Sequence, residues 1–176
     1  MHEIFSDDMT PAGAAGLTGL ILRRITPDDA LALARLRVAS FGELGLIEPQ
    51  RAASFERRAT REFFQLWRAG RIDGWVAECD GAIVASAYAV LWQRLPYPES
   101  SRHAEIAGVY VAPAYRGRGI ASELVREAVA AAAAMGVRKI VLHPTERSRA
   151  LYERCGFKNG SEMVFAAPFD KLRVAE

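Results

Sequence analysis

A glycine-rich loop between a predicted strand and a predicted helix is the feature that most restricts the fold of this chain. Residues 106–111, IAGVYV, form an apolar run typical of a buried strand. The next eight residues, APAYRGRG, contain a proline and two glycines and lead into an alanine-rich stretch. A strand, a glycine-rich loop and a helix N-terminus in this order indicate an α/β fold. Unpaired N–H groups in the first helical turn then form a binding site for an anion.

The side chains of this loop favour a phosphate-bearing small molecule. Gly117 and Gly119 allow positive φ angles and a close approach of the ligand to the backbone. Arg116 and Arg118 add guanidinium donors that suit phosphate oxygens. The loop lacks the Gly-Lys-Ser/Thr ending of a P-loop and the Gly-x-Gly-x-x-Gly spacing of a dinucleotide-binding fold. From these residues alone, an ordinary strand-to-helix turn with solvated arginines remains the alternative.

Two motifs resemble those of the GCN5-related N-acetyltransferases. The segment Arg116-x-x-Gly119-x-Ala121 is similar to the acyl-CoA signature of that family, (Gln/Arg)-x-x-Gly-x-(Gly/Ala). The later segment LYERCGF, residues 151–157, is similar to the family's Leu-Tyr-x-x-x-Gly-Phe element. A predicted helix and a predicted strand separate the two, as in the family. The resemblance covers roughly residues 20–166.

Hydrophobic periodicity and turn residues predict the order β-α-α-β-β-β-α-β-α-β-β, an α/β sandwich around one mixed sheet. The resemblance implies that this sheet is mostly antiparallel and flanked by helices. Residues 1–19 are expected to be a flexible extension, and 20–176 a single domain. The predicted strands are Leu20–Arg24, Trp75–Cys79, Ala82–Trp92, Ala104–Val111 and Arg138–His143. The predicted helices are one capped by Thr26 that ends before Gly42, Arg51–Ala69, Gly119–Met135, and one capped by Thr145 that ends at Gly156.

Two tight turns are predicted from short sequence signals. Asp80-Gly81 joins the second and third strands. Asn159-Gly160 predicts a final hairpin that pairs residues 157–158 with 162–166.

Charge and composition exclude several classes of protein. A net charge of +2, with scattered arginines, gives no basis for nucleic-acid binding. Two cysteines form no disulfide framework, and the three histidines have no metal-ligand spacing with them, so no metal is expected. No apolar stretch approaches membrane-spanning length, and the N-terminus has no signal-peptide pattern. The expected setting is cytoplasmic.

The resemblance implies an enzyme that moves an acetyl group from acetyl-CoA, its cosubstrate, to a primary amine in a ternary complex. Strand residues near Val109 would bond the pantetheine arm through the main chain, where a bulge splays the strand from the next one. The loop and first helical turn would hold the pyrophosphate. The implied cofactor-binding residues are Val109, Tyr110, Val111, Arg116, Gly117, Arg118, Gly119, Ile120, Ala121, Ser122 and Thr145.

Two residues are expected to be catalytic. Tyr152 matches the family tyrosine beside the CoA sulfur and would protonate the departing thiolate. Glu105 stands six residues before Val111, the position of the catalytic glutamate in the histone-acetylating branch, and would accept the amine proton. A core tyrosine and a solvated glutamate, with water as the base, are the alternatives. Glu43 and Glu162 are weaker candidates for the base, and His103 and His143 are expected to be structural.

The acceptor site is predicted only in outline. Thr145 stands where the family commonly has an asparagine that contacts the pantetheine arm, and Ser148 replaces a small apolar residue. Phe41, Trp67, Trp92 and Tyr97 are aromatic candidates for the acceptor groove, with Pro96-Tyr97-Pro98 as a movable wall. The acceptor is expected to be a small-molecule or peptide amine, and a homodimer is left open. The alternative function is a catalytically weak acyl-CoA-binding sensor or regulatory module.

Overall fold

Nine regular elements follow the predicted order in the computed structural model, which describes residues 19–93, 95–96 and 101–160. Short 3₁₀ turns, Pro27–Asp29 and Pro113–Tyr115, precede the first and third helices. The strands are β1 (Leu20–Arg24), β2 (Ile72–Cys79), β3 (Ala82–Gln93), β4 (Arg102–Val111) and β5 (Lys139–Val141). The helices are α1 (Ala30–Glu43), α2 (Pro49–Arg68), α3 (Ile120–Ala134) and α4 (Arg149–Arg154).

One mixed sheet organises these elements and confirms the predicted fold class. Its five strands lie in the order β1-β2-β3-β4-β5. The first four are antiparallel to their neighbours, and β5 runs parallel to β4. Asp80 and Gly81 form the predicted β2–β3 turn with φ values of 50° and 76°, the positive angles that a two-residue hairpin turn requires.

Alternation along β3 divides the core between the two faces of the sheet. Ala85, Ala87 and Ala89 belong to the core cluster that also contains α3, whereas Tyr88 belongs to the cluster with α1 and α2. The small side chains on the α3 side meet the buried Ala128 and Ala132 of that helix. Alanine against alanine lets α3 lie close to the sheet, as its composition predicts. Helices therefore cover both faces.

The N-terminal cap of the first helical segment forms as predicted. Thr26 donates its backbone N–H to Asp29 Oδ2 at 2.7 Å. Arg23 donates to both Asp29 oxygens, at 2.8 and 2.9 Å. Burial alone would raise the pKa of Asp29, but the hydrogen bonds from Arg23 and Thr26 outweigh it and lower that pKa. The ionised carboxylate thus ties β1 to the start of α1.

Several predicted boundaries are wrong, among them the start of β2, which is Ile72 and not Trp75. Helix α1 continues through Gly42 to Glu43, since Gly42 adopts no positive φ that would end it. Helix α4 begins at Arg149, and Ser148 rather than Thr145 stands at its N-cap. Thr145 instead accepts the backbone N–H of Ser148 through its carbonyl at 3.0 Å, which closes a turn before the helix. Strand β5 is shorter than predicted because its pairing with β4 ends at Val141.

Part of the prediction falls on residues that the structure does not describe. The final hairpin extends into residues 161–166, and the predicted extension covers residues 1–18. The division into an extension and a single domain stays a prediction.

Candidate active site

A cleft opens where β4 and β5 part. The last paired residues of these parallel strands are Glu105 and Val141. Beyond them, a bulge interrupts the pairing of β4 with β3. Ser86 pairs with Tyr110 and Tyr88 with Ala107, so the residues between them, 108 and 109 on β4, oppose a single residue on β3. A bulge bends its strand, and this one lies just beyond the last β4–β5 pair, where the resemblance implies that the two strands splay.

Gly108 is the residue that makes the bulge sterically possible. Its φ is 59°, and a Cβ placed on it would lie 2.0 Å from the ring of Tyr88. The Ser86 hydroxyl donates to the Gly108 carbonyl at 2.7 Å and holds the bulge from the β3 side. The bulge therefore depends on a glycine packed directly against a buried tyrosine ring.

All the sequence-predicted catalytic and cofactor-binding residues meet in this cleft, whose volume is about 720 Å³. They come from β4, the following loop, the start of α3 and the segment that leads into α4. The lining includes Glu105, Val109, Tyr110, Val111, Arg116, Gly117, Arg118, Gly119, Ile120, Ala121, Ser122, Thr145 and Tyr152.

The loop before α3 presents backbone donors to the cleft. Gly117 and Gly119 have φ values of 77° and 80°. Within the described part of the chain, the amides of residues 117–121 donate no backbone hydrogen bond. Acidic oxygens are the natural partners of such amides at a helix N-terminus, so this loop fits a phosphate group.

Arg116 differs from the expectation for a phosphate-binding side chain. Its Nε donates to the Val111 carbonyl at 2.8 Å, and its Nη2 contacts both Glu43 oxygens, each at 2.8 Å. Tyr110 also donates its hydroxyl to Glu43, at 2.7 Å. These contacts tie the end of α1 to β4 and the loop. A phosphate at this side chain would compete with Glu43.

Glu43 is poorly suited to act as the base. Hydrogen bonds from the Tyr110 hydroxyl and the Arg116 guanidinium lower the pKa of its carboxyl. A carboxylate stabilised in its charged form is a weaker proton acceptor.

Replacement of Glu43 by Gln is expected to tighten the binding of CoA. The change frees Arg116 and removes a negative charge near the anion-binding loop. Because Glu43 and Arg116 are partly exposed, the expected gain is small, roughly two- to fivefold in Kd. Calorimetric titration with CoA measures it, and Glu62→Gln on the exposed face of α2 is the matched control. Weaker binding of CoA by Glu43→Gln would show that the Glu43–Arg116 ion pair supports the loop, and that Glu43 does not compete with the phosphate for Arg116.

Glu105 is available to a ligand in the cleft. It is half-buried on β4, at the point where β4 and β5 part. Among the described residues its carboxylate forms no ion pair and no hydrogen bond. A half-buried carboxylate without a protein donor is placed to accept a proton from a ligand.

Tyr152 is a neutral hydrogen-bond donor at neutral pH. Its side chain is 9% exposed and contacts the ring of Phe157 edge-on at a centroid distance of 6.1 Å. Burial raises the pKa of its phenol, with a smaller opposing effect from Ser148. The same burial makes Tyr152 part of the core cluster. Its position therefore fits both interpretations from the sequence, a core tyrosine and a proton donor in the cleft.

Some of the weaker site candidates from the sequence line the cleft, and others lie elsewhere in the fold. His143, Ser148 and Phe41 line the cleft, while Trp67 packs against the core cluster of α1 and α2. His103 is buried at 5% exposure and lies against Trp92, with ring centroids 4.8 Å apart. Glu162 and Tyr97 lie outside the described residues.

Among the cleft-lining side chains that the sequence analysis missed, Arg37 and Tyr88 contact each other. Arg37 reaches the cleft from α1 and Tyr88 from β3. Arg37 is one of several arginines on the first two helices, and Tyr88 is one apolar position in a buried strand. Neither pattern distinguishes a site residue from an ordinary one. An isolated glycine within the β4 pattern, in contrast, is a usable signal of a bulge.

Comparison with known proteins gives consistent matches. The model of the acetyltransferase (GNAT) family matches residues 34–157. An uncharacterised N-acetyltransferase of Escherichia coli (strain K12), YjgM, is 29% identical over 143 residues, which cover 79% of this chain and 82% of that protein.

Solved structures match nearly over their whole lengths. A GCN5-related N-acetyltransferase from Ralstonia eutropha JMP134 has 30% identity and a TM-score of 0.73, with 85% of this chain and 99% of that one covered. A predicted acetyltransferase from Clostridium acetobutylicum, solved with acetyl-CoA, has 25% identity and a TM-score of 0.76, with 84% and 96% covered.

Two further observations concern the described residues alone. None of their helices has the length and apolar character needed to cross a membrane. No group of three or more His, Cys, Asp or Glu side chains gathers among them in a way that could hold a metal ion.

Proposed function

This chain belongs to the acetyltransferase (GNAT) family, and from that membership we propose that it transfers the acetyl group of acetyl-CoA to a primary amine by direct attack in a ternary complex. The observation that carries the proposal is the convergence of free backbone amides, Glu105 and Tyr152 on one cleft. The acetyl-CoA bound by the Clostridium acetobutylicum relative supports the choice of donor.

The donor would be held mainly by the backbone. The amides of residues 117–121 would bind the pyrophosphate, and the exposed guanidinium of Arg118 would add charge. Arg116 would join them only by exchanging its ion pair with Glu43. The open side of β4 would bond the pantetheine arm in the manner of an added strand. Thr145 would contribute little to the arm, because its hydroxyl already contacts Ser148 Oγ at 3.0 Å.

The reacting groups would then lie beside Glu105 and Tyr152. Acetyl-CoA supplies a thioester, which is already activated toward an amine. Glu105 accepts the proton that the attacking amine loses, directly or through water. The N–H of Val109, on the bulge, donates a hydrogen bond to the thioester oxygen. Tyr152 donates a proton to the sulfur as the amide bond forms and the carbon–sulfur bond breaks. The products are the acetylated amine and CoA.

A catalytically weak acyl-CoA sensor is the second candidate, since the amides of residues 117–121 would bind the cofactor equally well without turnover. The free carboxylate of Glu105 favours the enzyme, because binding of CoA alone has no use for an unpaired half-buried charge at the mouth of the splayed strands.

The distinguishing experiment measures binding and turnover separately. Thermal unfolding with acetyl-CoA or CoA reports binding, and a rise in Tm of several degrees is expected at saturating ligand. Release of the CoA thiol over a panel of amines and peptides reports transfer. Stabilisation without thiol release on any acceptor would favour the sensor. Absence of stabilisation by either ligand would contradict both functions.

A further inference from the structure

Arg37 is a half-buried cation in the cleft without a carboxylate partner. It lies on α1 and lines the cavity that contains Glu105 and Gly108. Among the described residues no acidic side chain forms an ion pair with it. A guanidinium taken partly out of water usually gains a charged partner, because its desolvation is otherwise uncompensated.

The other arginines of β1, α1 and the cleft are either paired or exposed to solvent. Arg23, Arg24, Arg35 and Arg116 contact the carboxylates of Asp29, Asp73, Glu56 and Glu43, respectively. Arg118, Arg147 and Arg154 also line the cleft, but their residues are exposed and water can satisfy them. Among the arginines that line the described cleft, Arg37 thus differs from the others, because it is partly buried and has no anionic partner.

Two aromatic residues fix the position of the Arg37 guanidinium. Its Nη1 donates to the Tyr88 hydroxyl at 3.2 Å, and its Cζ lies 4.6 Å from the centroid of the Phe41 ring. Phe41 is itself held edge-on by Phe55 at 5.6 Å. Stacking on a ring occupies the face of the guanidinium and leaves its edge N–H groups free to bind an anion.

Glu105 and Arg37 carry opposite charges, and both lie close enough to Tyr88 to act on its hydroxyl. Burial raises the pKa of Tyr88, the Arg37 charge and hydrogen bond oppose that rise, and the Glu105 charge adds to it. Both charges therefore act on the same hydroxyl, yet no ion pair joins them. A ligand with both a cationic and an anionic group would complement this arrangement.

Arg37 and Glu43 line the cleft from different turns of α1. Glu43 contacts Arg116 at the anion-binding loop. Arg37 precedes Glu43 by six residues, a rise of about 9 Å along a helix, and it contacts Tyr88 beneath the bulge. The phosphates of the donor would be bound at the loop, so they would not neutralise Arg37.

We propose that the acceptor carries an anionic group, a carboxylate or a phosphate, which Arg37 binds while the acceptor amine faces Glu105. This inference rests on the proposed acetyl transfer. It narrows the acceptor class to amines such as amino acids or phosphorylated amines, and it makes Arg37 the residue that selects them.

Matched acceptor pairs test the inference in the full-length protein. The pairs are phenylalanine and 2-phenylethylamine, lysine and cadaverine, and glucosamine 6-phosphate and glucosamine. Within at least one pair, kcat/KM for the member that carries the carboxylate or phosphate (the anionic member) is expected to exceed that of the member without it by about tenfold or more. The first two pairs probe a carboxylate and the third a phosphate.

Arg37→Gln is expected to remove this preference. It should lower kcat/KM for the anionic acceptor by roughly 10- to 100-fold, mainly through KM. The kcat/KM for the member without the anionic group and the KM for acetyl-CoA should change by less than about threefold, since a residue that only supports the fold would affect both acceptors. Arg35→Gln is the matched control, because Arg35 is exposed on the same helix and pairs with Glu56 outside the cleft.

Equal kcat/KM within every pair, or an equal loss on both members in Arg37→Gln, would overturn the inference and leave acetyl transfer standing. If no amine of the panel is acetylated, the proposed function fails on its own measurement. The preference is then decided by calorimetric titration of the CoA complex with the same pairs. Tighter binding of the anionic member that Arg37→Gln abolishes supports the inference, and equal binding overturns it.

Discussion

Replacement of Glu105 by Gln is expected to lower kcat by about 100- to 10,000-fold at neutral pH, the usual contribution of a general base. The substitution keeps the size of the side chain and removes its capacity to accept a proton. Glu105 has no ion pair or hydrogen bond to lose among the described residues, so the fold should tolerate the change. The KM for acetyl-CoA should hardly move, because the donor is expected to bind further along β4 and at the loop.

The split between kcat and KM separates a base from a residue that only binds the amine. Loss of a base lowers kcat, whereas loss of a binding contact raises the KM for the amine. Tm should stay within about 2 °C of the unsubstituted protein. Glu62→Gln, on the exposed face of α2, is the control. A variant that retains its rate would assign proton removal to water.

The fold was predictable from the sequence wherever a local signal agreed with the tertiary structure. Asp80-Gly81 takes the positive φ angles of a hairpin turn whatever surrounds it, and Thr26 with Asp29 forms a cap from residues three apart. The end of α1 was not predictable in this way. Gly42 has nothing within 4 Å of the place where a Cβ would stand, so it permits a helix as readily as it ends one. The helix continues for one residue more, to Glu43, which contacts Tyr110 and Arg116 far along the chain.

The part of the site that consists of backbone amides was predictable from the sequence. Residues 117–121 present their amides because a helix begins there, and that depends on a short stretch of sequence. The side-chain contacts were not predictable. Arg116 and Glu43 are 73 residues apart, and Arg37 and Tyr88 are 51 apart. Such pairs form only when the sheet brings α1 over β4, and no pattern along the chain marks one arginine of several as the partner.

Gly108 is the position where one methyl group is expected to disrupt both fold and site. Gly108→Ala would place a Cβ where the Tyr88 ring lies, in a backbone conformation with φ of 59°. The strain of a positive φ costs about 1–3 kcal/mol, and the overlap with a packed ring costs a similar amount. The free energy of unfolding should therefore fall by about 3 kcal/mol or more. Acetyl-CoA binding should weaken further, because relief of the overlap would flatten or shift the bulge that turns Val109 toward the cleft.

Chemical denaturation of Gly108→Ala and a matched glycine variant distinguishes steric conflict from a general effect of alanine. Gly42→Ala, in α1, meets nothing within 4 Å and should be neutral or stabilising by up to about 1 kcal/mol. Tyr88→Leu removes the ring that the new methyl group would meet. The loss of unfolding free energy in the double variant should therefore be smaller than the sum of the losses in the two single variants. If the losses were additive, the destabilisation would come from the backbone strain of residue 108 and not from overlap with the Tyr88 ring. A Gly108→Ala protein as stable as the original, with unchanged affinity for acetyl-CoA, would show that the bulge does not depend on this glycine.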